Sequence, residues 1–371
     1  MDIKKDLKPV VVGEKLGEAG DAVEAPEIQM QDDTTLIQGR VVLDYADSGT
    51  GKSSRAHSFA RYYFNQTGLP VILVAAEDSS KIIFQDLIDA GIVVPVFLTS
   101  SKTPLSVYER IVEGEVPLMG QFEIVKKTVK KDSKEVVEES KRVKWLSKEE
   151  ATGKFGAYIF EGLSTISENI LDYLRETGRF PREQSDGFVE GGRTHMAASQ
   201  TAYGFTQGEG LKLVKNSGML PVARVLWTSH EAKGKDEMDG SMVRGPKLVG
   251  SAATNVVRKH VGILLHTDRV NGQIRVYFEN HPDELSPKVE WKSKVTVNPF
   301  FAKELKKRYP GGYFVPSLPE EGSDYLTAKD GLIPFLELEE KVRAMGNDGA
   351  NKFREAVNKR REEQKISGQT S

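Results

Sequence analysis

Apolar runs alternate along the chain with segments of helical periodicity. Val71–Ala76 (VILVAA) and Tyr158–Phe160 are continuous apolar runs, typical of strands buried on both faces of a parallel sheet. Lys52–Gln66 and Ser164–Glu176 place apolar residues at helical spacing. Strands that alternate with helices predict an α/β fold, with a mostly parallel central sheet flanked by helices.

The same patterns predict the remaining elements and their grouping. Alternation from Gln121 to Leu146 predicts a charged β-hairpin inside an insertion, residues 117–149. We divide the chain into an N-terminal arm (1–33), a core (34–279) and a C-terminal extension with helices (280–371). The other predicted strands are Val41–Tyr45, Ile92–Leu98, Val222–Thr228, Val261–Thr267 and Gln273–Glu279. The other predicted helices are Ser79–Ala90, Pro104–Glu113, Gln200–Asn216, Asp330–Met345 and Lys352–Gln364.

Composition excludes several classes of site. The 371 residues include 52 Lys and Arg against 54 Asp and Glu, a net charge of −2, which argues against a wholly basic nucleic-acid coat. The chain has no cysteine, so disulfides, thiol catalysis, iron–sulfur clusters and Cys-ligated zinc are excluded. No apolar run reaches 18 residues and the first eight residues lack a secretory signal, so we expect a cytoplasmic protein without a membrane span.

One motif carries most of the predicted chemistry. Residues 46–53, ADSGTGKS, fit the relaxed phosphate-loop pattern, with Ala46 in the first position, between a predicted strand and a predicted helix. Gly49 and Gly51 allow the backbone to curl so that N–H groups point at phosphates. Lys52 is expected to reach the β- and γ-phosphates of ATP, and Ser53 to bind Mg²⁺. The predicted nucleotide-binding residues are Ala46, Asp47, Ser48, Gly49, Thr50, Gly51, Lys52, Ser53 and Ser54.

Hydrolysis needs further acids near this loop. Glu77 follows VILVAA and Glu161 follows AYIF, and a carboxylate at the C-terminal edge of a parallel sheet faces the ligand crevice. One acid is expected to order the metal and its water, and the other to polarise the attacking water. Asp78 competes with Glu77 for its role, because the two are adjacent.

From about Thr35 to Glu279, the order and spacing of these motifs resemble the core of RecA-type recombinase ATPases. The resemblance implies a RecA-like P-loop fold in which Glu77 is the catalytic glutamate and Glu161 is a metal-side acid. The family usually has Asp at the position of Glu161. VLWTSHEAKG is similar to the strand that ends in a polar γ-phosphate sensor, often Gln, and His230 occupies that position. The resemblance thus implies catalytic roles for Glu77, Lys52 and His230, and magnesium ligation by Ser53 and Glu161.

The same resemblance implies contact with single-stranded DNA. The matching loop is Glu231–Gly250, whose basic residues Lys233, Lys235, Arg244 and Lys247 are balanced by four acids. An earlier glycine-rich loop, Gly178–Thr201, contains Arg179, Arg182, Arg193 and His195. Mobile basic loops suit contact with a phosphate backbone. Arg258 and Lys259 match a segment in which a basic residue can reach the neighbouring subunit's nucleotide.

Compact cores of this kind are similar to phage-encoded RecA-like ATPases implicated in single-strand annealing. The leading hypothesis is therefore a homo-oligomeric, DNA-stimulated ATPase, forming a filament or a ring, that acts in recombination or annealing. One alternative is a hexameric helicase or packaging-type motor on the same core. Another is a non-catalytic NTP-binding switch or assembly factor, whose insertion and tail bind protein partners.

Overall fold

A computed structural model describes residues 40–100, 103–131, 134–176, 188–190, 193–195, 200–235, 242–249, 256–282, 290–291, 293–295, 299–316, 332–341 and 344. The predicted N-terminal arm (1–33) and the predicted helix Lys352–Gln364 lie outside these residues. Most of the predicted loop Gly178–Thr201 lies outside them as well, apart from two short strands and the start of a helix.

The described elements follow the predicted alternation. The helices are α1 Lys52–Thr67, α2 Ser79–Ile83, α3 Gln85–Asp89, α4 Leu105–Val112, α5 Lys148–Ala151, α6 Leu163–Glu176, α7 Gln200–Ser217 and α8 Pro299–Arg308, with a further C-terminal helix at residues 332–341. The strands are β1 Val41–Ala46, β2 Val71–Ala75, β3 Val93–Phe97, β4 Val116–Lys131, β5 Lys134–Leu146, β6 Ala157–Glu161, β7 Phe188–Glu190, β8 Arg193–His195, β9 Arg224–Lys235, β10 Met242–Pro246, β11 Ile263–Val270, β12 Gln273–Tyr277, β13 His281–Pro282, β14 Glu290–Trp291, β15 Lys294–Val295 and β16 Tyr313–Phe314.

The central sheet is mostly parallel, as predicted. Its order is β3-β2-β6-β9-β1-β11-β12-β16, and the six strands from β3 to β11 run parallel. β12 is antiparallel to β11, and β16 is antiparallel to β12. This register brings the carboxyl ends of β1, β2, β6 and β9 to one edge of the sheet, where Ala46 pairs with His230 and Ala75 with Glu161.

Apolar side chains fill both faces of the sheet, which explains the continuous apolar runs. One face packs α4, α6 and α7 around Leu43, Trp227 and Phe160. The other packs α1, α8 and the C-terminal helix around Leu265 and Phe335. Because both faces of the sheet are buried, the register of its strands is strongly specified.

The β-hairpin insertion is confirmed. β4 and β5 pair antiparallel from Val116 opposite Leu146 to Lys131 opposite Lys134, with an irregularity between Leu118 and Phe122. A capping box then starts α5, in which Ser147 and Glu150 each accept a backbone N–H from the other. The insertion thus leaves the core after α4, and the chain returns to β6 through α5.

Two local predictions were wrong in detail, and one helix was missed. The predicted loop Glu231–Gly250 starts as a strand, because β9 runs on to Lys235 and pairs with β10 beyond the last residue that pairs with β1. The predicted helix Ser79–Ala90 is two short helices separated at the fully buried Phe84. Helix α8 was missed, although Pro299 at its first position and the three basic residues of its last turn are helix signals.

Candidate functional site

The predicted phosphate loop joins β1 to α1 and has the backbone that the motif requires. Gly49 and Gly51 adopt left-handed φ values of 74° and 84°, which suit glycine because it lacks a Cβ. The Thr50 hydroxyl donates to the Asp47 carbonyl at 2.8 Å and closes the turn. Residues Asp47 to Gly49 are exposed, so the loop is open to a ligand at the start of a 16-residue helix.

Lys52 lies folded over this loop. Its Nζ donates to the carbonyl oxygens of Ala46 at 3.0 Å and Asp47 at 2.8 Å. Burial lowers the pKa of Lys52, while the carboxylate of Asp44 opposes that change. These carbonyls are neutral acceptors, so phosphate oxygens would make stronger, charge-assisted bonds with the same ammonium group.

A buried ion pair between Arg55 and Asp44, which sequence reasoning missed, stabilises the phosphate loop. Arg55 on α1 donates from Nε to Asp44 on β1 at 2.7 Å, and from Nη1 to the Thr50 carbonyl at 3.0 Å. Its Nη2 donates to Thr267 Oγ1 on β11 at 2.7 Å. Arg55 therefore ties the loop to two neighbouring strands of the sheet.

Glu161 lies at the end of β6, beside the start of α1. Its side chain is 1% exposed, and neither carboxylate oxygen has a well-formed hydrogen bond. Burial raises the pKa of Glu161, whereas the nearby hydroxyls of Ser53 and Ser80 lower it. Unpartnered buried oxygens next to the phosphate-loop serine fit a hydrated Mg²⁺, which prefers oxygen ligands and keeps several waters. The structure thus brings Ser53 and Glu161 together, as the sequence predicted, and adds Ser80 to this group.

Glu77 follows β2 and faces the same crevice. Its Oε1 lies 3.4 Å from His230 Nε2 and accepts a hydrogen bond from Thr165 Oγ1 at 3.3 Å. The hydrogen bond from His230 lowers the pKa of Glu77 below its ordinary value, against the effect of burial. Gly162 makes room for this carboxylate, because a Cβ there would lie 2.9 Å from Glu77 Oε1.

Asp78 is not placed in this crevice. Its exposed carboxylate pairs with Lys81 Nζ at 2.8 Å, one turn along the chain. Glu77 is therefore the acid that points toward the site.

Backbone contacts fix His230 between the site and the hairpin β9–β10. The His230 N–H donates to Ser164 Oγ at 2.9 Å, and its carbonyl accepts from the Lys247 N–H at 2.7 Å. Ser229 Oγ donates to the Lys247 carbonyl at 3.1 Å. His230, which lies beside Glu77, is thus hydrogen-bonded to the segment that follows β10.

The predicted basic residues are only partly described. Lys247 Nζ lies 2.7 Å from Glu168, and Arg244 Nη1 lies 3.9 Å from Glu231, so both have acidic neighbours. Arg258 and Lys259 lie in a short 3₁₀ helix before β11.

Several residues of the site escaped the sequence reasoning. They are Arg55, Ser80, Ser164 and Thr165, which lie in helices rather than in the phosphate-loop motif or at strand ends. The signal for Arg55 was its position one helical turn after Lys52, together with an Asp inside an apolar strand.

The order of these parts is a mostly parallel α/β arrangement, as the sequence predicted. The phosphate loop leaves the parallel strand β1, and the strands that contain Glu161 and His230 lie between β1 and the strand that precedes Glu77. Among the residues that the structure describes, no helix is long and apolar enough to cross a membrane.

Comparisons with known proteins add little to this geometry. No family model matches the chain, and no curated protein matches it significantly. A solved structure that resembles it is the flagellar accessory protein FlaH from Methanocaldococcus jannaschii. The two chains are 11% identical with a TM-score of 0.36, over 80% of this chain and 90% of that chain. A likeness this distant establishes neither a family nor a function.

Proposed function

We propose that the protein binds and hydrolyses ATP with Mg²⁺ as cofactor. The observation that carries this proposal is the convergence of Lys52, Ser53, Glu161 and the Glu77–His230 pair at one edge of the sheet. The cation, when bound, would supply charge neutralisation for the phosphates. No other arrangement of polar groups among the described residues combines a phosphate loop with two strand-end carboxylates.

Each of these five residues has a defined task in this proposal. Lys52 exchanges its bonds with the loop carbonyls for bonds with the β- and γ-phosphates, while Ser53 and Glu161 hold the cation and its waters. Glu77 is ionised near neutral pH and accepts a proton from the attacking water. His230 donates to Glu77 and, through the backbone, joins the site to the hairpin β9–β10.

The direct test is the rate of ATP hydrolysis by purified full-length protein. Lys52→Ala and Glu77→Gln should each lower kcat by roughly 100-fold or more, because each removes a group used in the transition state. Lys154→Ala is the matched control for charge loss, since this exposed lysine precedes β6 at the opposite end of the strand from Glu161. Equal rates in wild type and Lys52→Ala would contradict the proposal.

We further propose that single-stranded DNA is the partner, in recombination or annealing. The support is the continuity of β9 from His230 into Lys233 and Lys235, which gives a DNA-bound hairpin a direct connection to Glu77. Single-stranded DNA should then raise kcat, and Lys233→Ala combined with Lys235→Ala should remove that increase but leave the basal rate. Salt should weaken the effect, because phosphate contacts release counterions.

The alternatives predict other outcomes of the same assay. Stimulation by duplex DNA with strand separation would favour a helicase or packaging-type motor. Tight ATP binding without hydrolysis would favour an assembly factor. We also propose that copies of the chain associate as a filament or a ring, which light scattering with and without ATP would test.

A further inference from the structure

Ser80 is a buried polar residue to which the proposed function assigns no role. It is the second residue of α2, it is 0% exposed, and its hydroxyl oxygen is buried without a hydrogen-bond partner. Buried hydroxyls are almost always hydrogen-bonded, so each exception in a folded protein calls for an explanation. The adjacent Ser79 is exposed, so burial distinguishes two otherwise identical side chains.

Two backbone hydrogen bonds bring Ser80 close to Glu161. The N–H of Ala76 donates to the Glu161 carbonyl at 3.1 Å, which aligns the ends of β2 and β6. The N–H of Ser80 then donates to the Glu77 carbonyl at 3.3 Å, which folds α2 back over those strand ends. The hydroxyl is near enough to Glu161 to favour its ionised form.

Three buried or half-buried oxygen groups therefore meet beside the phosphate loop. Glu161 contributes two unpartnered carboxylate oxygens, Ser80 an unpartnered hydroxyl, and Ser53 the hydroxyl of the motif. Neighbouring buried polar atoms without good hydrogen bonds indicate that a water, an ion or another group completes them. A hydrated divalent cation meets this need, because its waters donate hydrogen bonds and its charge offsets that of the carboxylate.

We propose that Ser80 is a positioning residue of the cation site, whose hydroxyl donates to Glu161 when a cation is bound and directs that carboxylate toward Ser53. This inference rests on the proposed function and extends it. Glutamate has one more methylene group, and hence one more rotatable bond, than aspartate, so it needs a contact that selects one rotamer. Groups that orient a metal-binding side chain typically alter metal affinity by 10- to 100-fold when they are removed.

The experiment separates cation binding from nucleotide binding. Full-length protein is saturated with AMP-PNP, and Mn²⁺ affinity is measured by the loss of the free-ion electron paramagnetic resonance signal. Affinity for a fluorescent ATP analogue is measured separately in EDTA. Ser80→Ala should weaken Mn²⁺ binding by about 10-fold and leave nucleotide affinity in EDTA unchanged. Ser79→Ala is the matched control and should change neither, and Ser80→Thr, which keeps the hydroxyl, should restore Mn²⁺ affinity.

Thermal unfolding in EDTA shows whether Ser80 has a purely structural role instead. Because the Ser80 hydroxyl has no well-formed hydrogen bond without a bound cation, Ser80→Ala should melt within a few degrees of wild type in the absence of metal, and it should gain less stability from added Mg²⁺. A large loss of metal-free stability, or unchanged Mn²⁺ affinity in a wild type that binds it tightly, would overturn the role of Ser80 alone. A wild type that binds neither nucleotide nor Mn²⁺ would overturn the proposed function, and this inference with it.

Discussion

Glu77 and Glu161 have the same side chain at the ends of adjacent strands, yet their surroundings shift their pKa values in opposite directions. His230 lowers the pKa of Glu77 through a hydrogen bond, whereas burial raises that of Glu161. Groups with divergent pKa values in one crevice commonly divide the acid and base tasks of a reaction. A carboxylate kept ionised suits proton acceptance, and a buried carboxylate without partners suits a cation.

The pH dependence of hydrolysis tests the contact between His230 and Glu77. In the proposed mechanism Glu77 acts as a base only when it is ionised, so kcat should fall on the acid side as Glu77 becomes protonated. His230→Ala removes the largest cause of the lowered pKa, and the acid limb of kcat should therefore move to higher pH. His230→Gln retains a hydrogen-bond donor and should move the limb less. An acid limb at the same pH in all three proteins would show that the contact does not act on Glu77.

At the scale of elements, the phosphate loop depends on the contacts between β1, α1 and β11. Asp44 is 1% exposed in the middle of a central strand, where an unpaired charge would be strongly unfavourable. Arg55 compensates that charge and, with the same guanidinium, holds the Thr50 carbonyl. Thr267 completes the group by donating to Asp44 at 3.2 Å. The conformation of the loop is thus tied to the register of two parallel strands.

Breaking the Asp44–Arg55 ion pair should lower the free energy of unfolding and weaken the binding of nucleotide. Asp44→Ala leaves Arg55 buried without its carboxylate, and the free energy of unfolding should fall by about 3–5 kcal/mol. The double variant Asp44→Ala, Arg55→Met should lose clearly less than the sum of the single changes, because neither charge is left unpaired. Urea denaturation measures these values, and Thr267→Val should have the smallest effect, about 1 kcal/mol. Additive single and double changes would argue against a coupled pair.

At the scale of the whole molecule, segments far apart in the chain complete one core. The helix at residues 332–341 places Phe335 against Phe278, directly after β12, and against Phe314 in the edge strand β16. Arg224, at the start of β9 and 0% exposed, lies 2.7 Å from Glu339 and 3.0 Å from Glu340. The C-terminal part of the chain therefore packs against the strand that carries His230.

This packing predicts that the C-terminal helix is needed for a stable fold. Phe335→Ala should lower the free energy of unfolding by about 3–5 kcal/mol, since it removes a fully buried aromatic side chain. Phe122→Ala is the matched control, because that phenylalanine is 51% exposed on the insertion hairpin, and it should cost less than 1 kcal/mol. Thermal unfolding followed by circular dichroism compares them. Equal melting temperatures for the two variants would show that the helix is dispensable.

The local sequence predicted those elements whose signals are short and strong. The runs VILVAA and AYIF are typical of strands covered on both faces, and ADSGTGKS between a strand and a helix predicted the phosphate loop. The bounds of β9, by contrast, could not be predicted, because its last residues are stabilised by pairing with β10 and no apolar pattern marks them. The break at Phe84 likewise reflects burial of one ring between elements distant in the chain.

The sequence by itself determined the class of fold, the phosphate-loop motif and the position of Glu77 and Glu161 at strand ends, since each is set by neighbours along the chain. Only the tertiary structure decided how these residues meet. It placed His230 against Glu77, Ser80 beside Glu161, and Arg55 between Asp44, Thr50 and Thr267. The physical reason is that burial and hydrogen bonding depend on groups distant in the chain, such as Arg55 and Thr267, which are 212 residues apart. Such partners carry no local pattern that a sequence alone reveals.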